Sequence, residues 1–392
     1  MAYRIAVVGG GLGGLTAALL LARSGHEVTL LEQAARFRTE GAGIQLSPNV
    51  SRVLLRLGLG PALETQATAT TRSRFRHYRT GQTITEAVLG ETATARYGAP
   101  YWQIHRADLH RVLQEAAENA PGLSLHLGQA VRHDALIHQG DQVSIAPGSG
   151  PFDCVIGADG IHSQVRRWCF GEAPPRFTGQ VAWRFLVDSA ALPSALRAPE
   201  SQVWWGPGAH VVHYPMAQGR WVNCVAVQEA SEWTEESWSL PGDPGALRDA
   251  FKSWHTDVQA LTHHAEEGTL FQWGLFDRDP LPSWHRGPVA LLGDACHPTL
   301  PFLAQGAAMA IEDAATLNLA LARFPSLEAA LSHYAHWRRP RTARIQRTSR
   351  RYGWVYHLGA PLAWFRNRAA PLARAHTMDW LYRYDPETPE RA

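Results

Sequence analysis

Residues 3–33, YRIAVVGGGLGGLTAALLLARSGHEVTLLEQ, constrain the fold of this chain more than any other stretch. A short apolar run from Arg4 to Val8 leads straight into Gly9-x-Gly11-x-x-Gly14, then a helix-forming segment, then a second apolar run that ends at Glu32. Strand, glycine turn, helix and strand in so few residues make a βαβ unit, which requires a parallel sheet. Gly9 permits the tight turn, Gly11 lets the backbone approach a pyrophosphate, and Gly14 lets the helix pack closely on the strand. The positive end of the helix faces the phosphates. Glu32, with Gln33 beside it, stands where a carboxylate accepts hydrogen bonds from ribose hydroxyls. A carboxylate there also repels a 2′-phosphate, so the segment reads as a site for FAD or NAD.

The remaining composition narrows the class. With 392 residues and 45% hydrophobic content, the chain can bury a large core in two domains, or in one with a large insertion. A net charge of +2 gives no global field for nucleic acid. The four cysteines form no CxxC pair, which fits reduced thiols, and the histidine spacings imply no metal site. No apolar run approaches the roughly twenty residues needed to span a bilayer, and no secretory leader is evident, so a cytoplasmic protein is expected.

The character of the chain alternates along its length. NVSRVLLRLGLGPALE reads as a helix, the Thr/Arg-rich stretch 70–98 as hairpin material, and HRADLHRVLQEAAENA as an amphipathic helix through Leu109, Val112 and Leu113. Successive strands follow from 123 to 159. A Trp-rich block from about 176 to 265 reads as an antiparallel sheet, and PVALLGD at 288–294 as a strand that returns to the first domain. The predicted architecture is α/β. A Rossmann-like domain takes 1–70, 99–175 and 266–350, an inserted β-sheet substrate domain takes 71–98 and 176–265, and a helical segment takes 351–392.

Two further motifs carry chemistry. In GDACHPTLPFLAQGAAMA, Asp294 follows an apolar strand and is placed to accept hydrogen bonds from a ribityl chain. Pro301 fixes a backbone angle there, and Gly306 opens a helix whose first amides face a polar ring edge. In GADGIHSQVRR, Asp159 and Gly160 sit between a strand and a helix carrying Arg166 and Arg167; read alone, this is equally a βα turn with a capping acid.

Taken in order, the three motifs resemble the group A flavoprotein monooxygenases, the single-component FAD-dependent aromatic hydroxylases, and most of all those acting on hydroxybenzoates, hydroxynicotinates and salicylate. The resemblance covers residues 3–345. It implies a p-hydroxybenzoate hydroxylase-like fold in which the antiparallel sheet roofs the pocket where the flavin ring meets its substrate. It also assigns the ribityl contact to Asp294, the ring-side loop to Pro301, Gly306 and Ala307 with Met309 on the same helix start, and flavin contacts to Asp159 and Gly160. Arg106 in IHRADL matches an arginine near the flavin, and Val131 a residue on the adenine side. Only one fingerprint is present, so NADH or NADPH is expected as a transient co-substrate over the same flavin.

The implied reaction is hydroxylation of an electron-rich ring by a flavin C4a-hydroperoxide formed with O₂. Deprotonation makes a phenol a better nucleophile, so a general base is expected near its oxygen. His210 and Tyr214 in GAHVVHYPM are four apart, on one face of a strand with Val212 between them, while His213 faces away. Similar hydroxylases carry His and Tyr at this spacing. Gln45 stands where the 6-hydroxynicotinate enzymes have histidine, and Phe302 replaces a polar residue after the loop proline, which implies a less polar pocket. Trp204, with Trp205 and Trp183, is a candidate wall, and Arg184 either pairs with a substrate carboxylate or packs within the sheet. The arginine run 338–351 reads as a solvated helix face or a domain clamp through Arg341, Arg344 and Arg347.

The expected substrate is a small phenolic or N-heteroaromatic acid, with no nucleic-acid partner and a monomeric or homodimeric protein. Two alternatives stay open: a flavin monooxygenase for a larger quinolone- or polyketide-like aromatic, and a catalytically inactive nucleotide-binding protein.

Overall fold

The computed structural model describes residues 2–37, 42–145, 148–233, 240–266, 268–373 and 378–391. Strands from three distant parts of the chain meet in one six-stranded sheet, ordered His285–Arg286, Val289–Leu291, Cys154–Gly157, Arg4–Val8, Glu27–Glu32, Leu123–Leu127. All neighbours are parallel except the His285–Arg286 edge. Ile5, Ala6 and Val7 are wholly buried, as the unbroken apolar run of a strand covered on both faces requires. The fingerprint helix Leu12–Arg23 packs on the helix Gly306–Arg323. A Cβ at Gly13 would stand 2.7 Å from Leu292 and 2.8 Å from Ala310, so the two helices approach with no room for a side chain.

The second large sheet has eight strands, ordered Leu240–Pro241, Phe271–Asp277, Arg176–Asp188, Trp221–Glu229, Ala209–Met216, Glu200–Gly206, Arg72–His77, Thr83–Val88. Its strands are antiparallel except where Glu200–Gly206 runs parallel to Arg72–His77. One face packs Trp183, Phe185, Trp204 and Val211 against the helices Pro244–Phe251 and Thr256–His263. The other turns Ala182, Trp205, Val227 and Trp273 toward Leu300, Phe302 and Tyr356. The period-two alternation of each strand decides which residues reach which side.

Several expectations needed correction. The predicted border at 265 cuts off Phe271–Asp277, which pairs with Arg176–Asp188 within the sheet. Two helices interrupt the block read as all strand. The segment 70–98 is a hairpin only to Val88; Gly90–Tyr97 is helical and ends at Gly98 in the left-handed region, φ 74°. NVSRVLLRLGLGPALE forms two helices, Pro48–Arg56 and Gly60–Gln66, because Gly58 turns the chain at φ 70°.

The arginine run departs furthest from a solvated face. It lies on the helix Leu327–Tyr356, and Arg338 and Arg341 point into the protein against the acid pair of the Gly306–Arg323 helix. Arg338 Nε lies 2.6 Å from Asp313 Oδ1, and Arg338 Nη2 2.8 Å from Glu312 Oε2. Arg341 Nη2 lies 2.7 Å from Glu312 Oε1. Arg344 and Arg347 are exposed. Two buried cations therefore meet two buried anions, and every partner is needed to offset the cost of desolvation. Arg338→Leu, which leaves Asp313 without its cation, is expected to cost about 3–5 kcal/mol of stability. Arg347→Ala on the exposed face of the same helix should cost within about 0.5 kcal/mol. Urea unfolding of the purified FAD-loaded proteins measures both.

Candidate active site

A cavity of about 1480 Å³ lies between the two large sheets. It is lined by Gln45, Arg106, Arg184, Trp205, His210, Tyr214, Asp294, Pro301, Phe302, Gly306 and Ala307, so most of the ring-side and pocket residues singled out in the sequence converge on one space. Asp294 sits in a short turn, Gly293–Ala295, just after the strand Val289–Leu291. It lies deep in the molecule, yet its side chain is open to the cavity and makes no hydrogen bond or ion pair with any described residue. Burial raises its pKa, opposed by His297 and Arg106. An acceptor of this kind fits a hydroxyl-bearing chain. The Pro301–Leu303 turn passes through Ala304 at φ 53° into the helix opened by Gly306, whose N-terminus borders the cavity.

Buried hydrogen bonds hold this loop in place. Gln305 Nε2 donates to Ser47 Oγ at 3.0 Å, and Asn49 Nδ2 donates to Gln305 Oε1 at 3.0 Å and to Glu312 Oε1 at 2.6 Å. Asp313 Oδ2 accepts from the Gly293 amide at 3.0 Å and lies 2.5 Å from His297 Nε2. Cys296, His297 and Asp313 thus cluster in the interior, but the Asp313 oxygens are already committed to Gly293, His297 and Arg338. Asn49, Gln305, Glu312 and Asp313 were not singled out in the sequence. The polar Glu312–Asp313 pair inside the otherwise apolar GAAMAIEDAATLNLALA is the signal that marks them.

The fingerprint lies outside the cavity. Gly9 adopts φ 106°, with the site of a Cβ 2.4 Å from the Ala158 carbonyl, and a Cβ at Gly14 would stand 1.9 Å from the Gly9 carbonyl. Gly11 is open, with nothing within 4 Å. Glu32 accepts from the Gly10 amide at 2.7 Å and the Ala34 amide at 2.9 Å, one bond to each oxygen, which leaves each a further lone pair. Gln33 is exposed just beyond it. Val131 lies in a loop after the strand Leu123–Leu127 instead of in a strand; that loop is tied to Glu32 by the Gln129 amide at 2.8 Å. Asp159 spends its carboxylate on its own turn, accepting from Ser163 Oγ at 2.5 Å and the amides of Gln164 and Val165 at 2.7 and 3.2 Å. Gly160 beside it, φ 79°, has open space around it.

On the sheet face, His210, Val212 and Tyr214 turn into the cavity, and His213 turns away to stack on Trp204. Trp204 is therefore not a cavity wall. It is fully buried behind the sheet among His213, His255 and Arg76, and Trp183 lies on that side too. Trp205, paired in register with His210, lines the cavity instead. Met309 is likewise buried behind the Gly306 helix, with Leu303 and Ile345. Gln45 is held by Tyr101 Oη, which donates to its Oε1 at 2.6 Å, and its amide nitrogen reaches Ser201 Oγ at 3.3 Å. Phe302 packs its ring 5.3 Å from His210, in space left by Gly353.

Burial lowers the His210 pKa strongly, and the neighbouring His357 adds to the effect, so its imidazole is neutral and able to accept a proton. Burial raises the Tyr214 pKa, so its phenol stays protonated and can donate. Arg184 lines the same cavity beneath the rings of Phe271 and Trp273, 5.7 and 5.3 Å away. It has no carboxylate partner among the described residues, and burial lowers its pKa. The site thus offers an acceptor, a donor and an unneutralised cation above a helix N-terminus.

A family described as an FAD binding domain matches residues 2–349. The chain is 41% identical over 388 residues to the 3-amino-4-hydroxybenzoate 2-monooxygenase PtmB3 of Streptomyces platensis, covering 97% of this chain and 96% of that protein. It is 36% identical over 392 residues to a 6-hydroxynicotinate 3-monooxygenase of Bordetella bronchiseptica, covering 97% and 95%. Among solved structures, a salicylate hydroxylase in complex with its substrate superposes with a TM-score of 0.84 at 26% identity, over 100% of this chain and 97% of that one. HpxO of Klebsiella pneumoniae, complexed with FAD and uric acid, superposes at 0.83 with 27% identity, over 99% and 97%.

Proposed function

The chain belongs to the FAD-binding family of aromatic-ring monooxygenases, and from that premise we propose that it uses O₂ and NAD(P)H to hydroxylate a small phenolic or N-heteroaromatic acid. The observation that carries this reading is the single cavity that joins Asp294 and the Gly306 helix end to the His210–Tyr214 face. Asp294, an acceptor open to the cavity with no protein partner, fits the ribityl chain of FAD. Gly9, Gly11 and Gly14 would receive the pyrophosphate, with Glu32 and Gln33 at the ribose and Val131 toward the adenine. Arg106, Pro301, Gly306 and Ala307 would border the flavin ring, and the Asp159–Gly160 turn would contribute through the Gly160 backbone. When bound, FAD supplies activation of O₂ and delivery of one oxygen atom to the substrate ring.

The chain's own residues do the rest. Neutral His210 takes the proton of the substrate hydroxyl, which raises the electron density of the ring. Tyr214 donates a hydrogen bond to the same oxygen and fixes its position. Arg184 pairs with the substrate carboxylate, since a guanidinium facing a low-dielectric cavity gains most from an anion placed against it. Phe75, Trp205 and Phe302 wall the ring and exclude water. NAD(P)H acts transiently, consistent with the single dinucleotide fingerprint.

Relatives named for 3-amino-4-hydroxybenzoate and 6-hydroxynicotinate set the first compounds to test, since both combine a ring hydroxyl with a carboxylate. The apolar lining from Trp205, Val227 and Phe302 favours one second reading, a larger quinolone- or polyketide-like aromatic, in the part of the cavity that the flavin ring leaves to the substrate. NADH and NADPH consumption with product analysis, across 3-amino-4-hydroxybenzoate, 3-hydroxybenzoate, salicylate, 6-hydroxynicotinate and 4-hydroxyquinoline, separates the two. Stimulated turnover with hydroxylated product from an acid supports the first reading; response only to the quinoline replaces it with the second.

Asp294→Ala is expected to purify without bound flavin, and a variant that keeps wild-type flavin content removes Asp294 from the ribityl site. Arg184→Met is expected to raise KM for the preferred acid at least about tenfold, the scale of one buried charge-assisted bond, while leaving KM for its carboxamide unchanged. Equal effects on acid and amide would assign Arg184 to packing.

A further inference from the structure

His210 does not stand alone behind the cavity. Its Nδ1 lies 2.8 Å from Nε2 of His357, the residue that caps the helix Leu327–Tyr356, and His357 Nδ1 lies 3.2 Å from Glu229 Oε1. Along this line the side chains of His210 and His357 are almost fully buried, whereas that of Glu229 is 58% exposed. The rings of Phe302 and Tyr356, each 5.3 Å from His210, seal the flanks. Backbone bonds set the three elements in register: Gly208 donates to the His357 carbonyl at 3.0 Å, and Glu229 to the Gly208 carbonyl at 2.9 Å.

We propose that His210, His357 and Glu229 form a proton relay that carries the substrate's phenolic proton from the cavity to the protein surface. The proposal rests on the reading above, in which His210 meets the substrate hydroxyl.

The tautomers follow from the far end of the chain of groups. A carboxylate only accepts, so Glu229 requires the His357 hydrogen on Nδ1, leaving the His357 Nε2 lone pair to accept from His210 Nδ1–H. The His210 lone pair is then on Nε2, which has no hydrogen-bond partner among the described residues. Glu229 thereby aims a base at the cavity through two rings. When Nε2 takes the phenolic proton, the Nδ1 proton passes to His357 Nε2, and the His357 Nδ1 proton passes to Glu229 and on to water. One proton leaves the cavity, and neither ring retains a charge. A proton returned along the same path to the substrate oxygen, as the product ring regains aromaticity, resets both tautomers.

The electrostatic setting suits the transfer. Burial lowers the pKa of both histidines, so neither traps the proton. Glu229 pulls His357 upward and the buried Arg366, whose guanidinium donates to the Val355 and Tyr356 carbonyls, pushes it down. Around His210 the titratable neighbours are His357 and Tyr356.

The probe is 4-hydroxy-3-nitrobenzoate, an aromatic acid whose phenolate absorbs in the visible. It is mixed, at a pH below its own phenolic pKa so that the free probe is the protonated phenol, with FAD-loaded enzyme in a stopped-flow instrument, without NAD(P)H, and phenolate formation is followed. Wild type should ionise the bound probe in one phase. His357→Gln should keep its flavin content and its probe affinity within about twofold, while ionisation slows at least about tenfold, a small part of what a positioned base contributes. Glu229→Gln, a surface change that tests the relay even if the His357 variant fails to fold, should slow ionisation about threefold or more by removing the exit and freeing the tautomers. Wild-type ionisation rates in Glu229→Gln together with a folded His357→Gln, or in Glu229→Gln alone if the other does not fold, overturn the relay. If His210→Gln is slow while those variants are not, His210 remains the base and the relay alone falls. If wild type binds the probe without ionising it, the general-base reading falls, and the relay with it.

Discussion

The arrangement of the cavity depends on four buried charges. Glu312 and Asp313 project from one helix, Arg338 and Arg341 from the next, and the pairs close at 2.6–2.8 Å away from solvent. Such a cluster has little net worth compared with an apolar core of the same volume, yet it tolerates no missing member. Its value here is positional. Glu312 accepts from Asn49, which holds Gln305 at the start of the Gly306 helix, and Asp313 accepts from the Gly293 amide beside Asp294. The loop facing the cavity is fixed by these charges more than by its own sequence.

This division of labour explains why Asp294 is left open. Glu312 and Asp313, the next acids along the chain, both have protein partners, and the turn that carries Asp294 is held from behind by Asp313. Its carboxylate is therefore available to a ligand without cost to the fold. The same logic separates Asp159, whose oxygens stabilise their own helix start, from Gly160, whose backbone is open. An acid in a family motif need not touch the cofactor to be required.

The two sheets meet the cavity in different ways. The parallel sheet presents helix N-termini and glycine turns, suited to phosphates and polar ring edges. The antiparallel sheet presents one side of each strand, so its chemistry is set by parity. His210, Val212 and Tyr214 reach the cavity while His213 and Val211 serve the helices behind. The helix Leu327–Tyr356 spans both roles, supplying Arg338 and Arg341 to the charge cluster near its middle and ending at His357, against His210.

Local patterns in the chain already determine a great deal: the glycine turn with its strand and helix, the acid that ends the second strand, the glycine-opened helix near Asp294, and the shared face of His210 and Tyr214. Each is a matter of spacing within a few residues, where backbone geometry leaves little choice. Trp204 and Met309 face away from the cavity, because parity and helix face are referred to a partner surface that no local window contains. The helices Pro244–Phe251 and Thr256–His263, and the strand Phe271–Asp277 beyond the expected border, were hidden for a similar reason, since pairing across the sheet decides membership. Only the tertiary structure sets Arg338 against Asp313, Asn49 against Gln305, and His357 between His210 and Glu229. Those contacts join residues 25 to 256 positions apart, and a charge or an imidazole acquires its role from the neighbour that desolvates it or shares its proton.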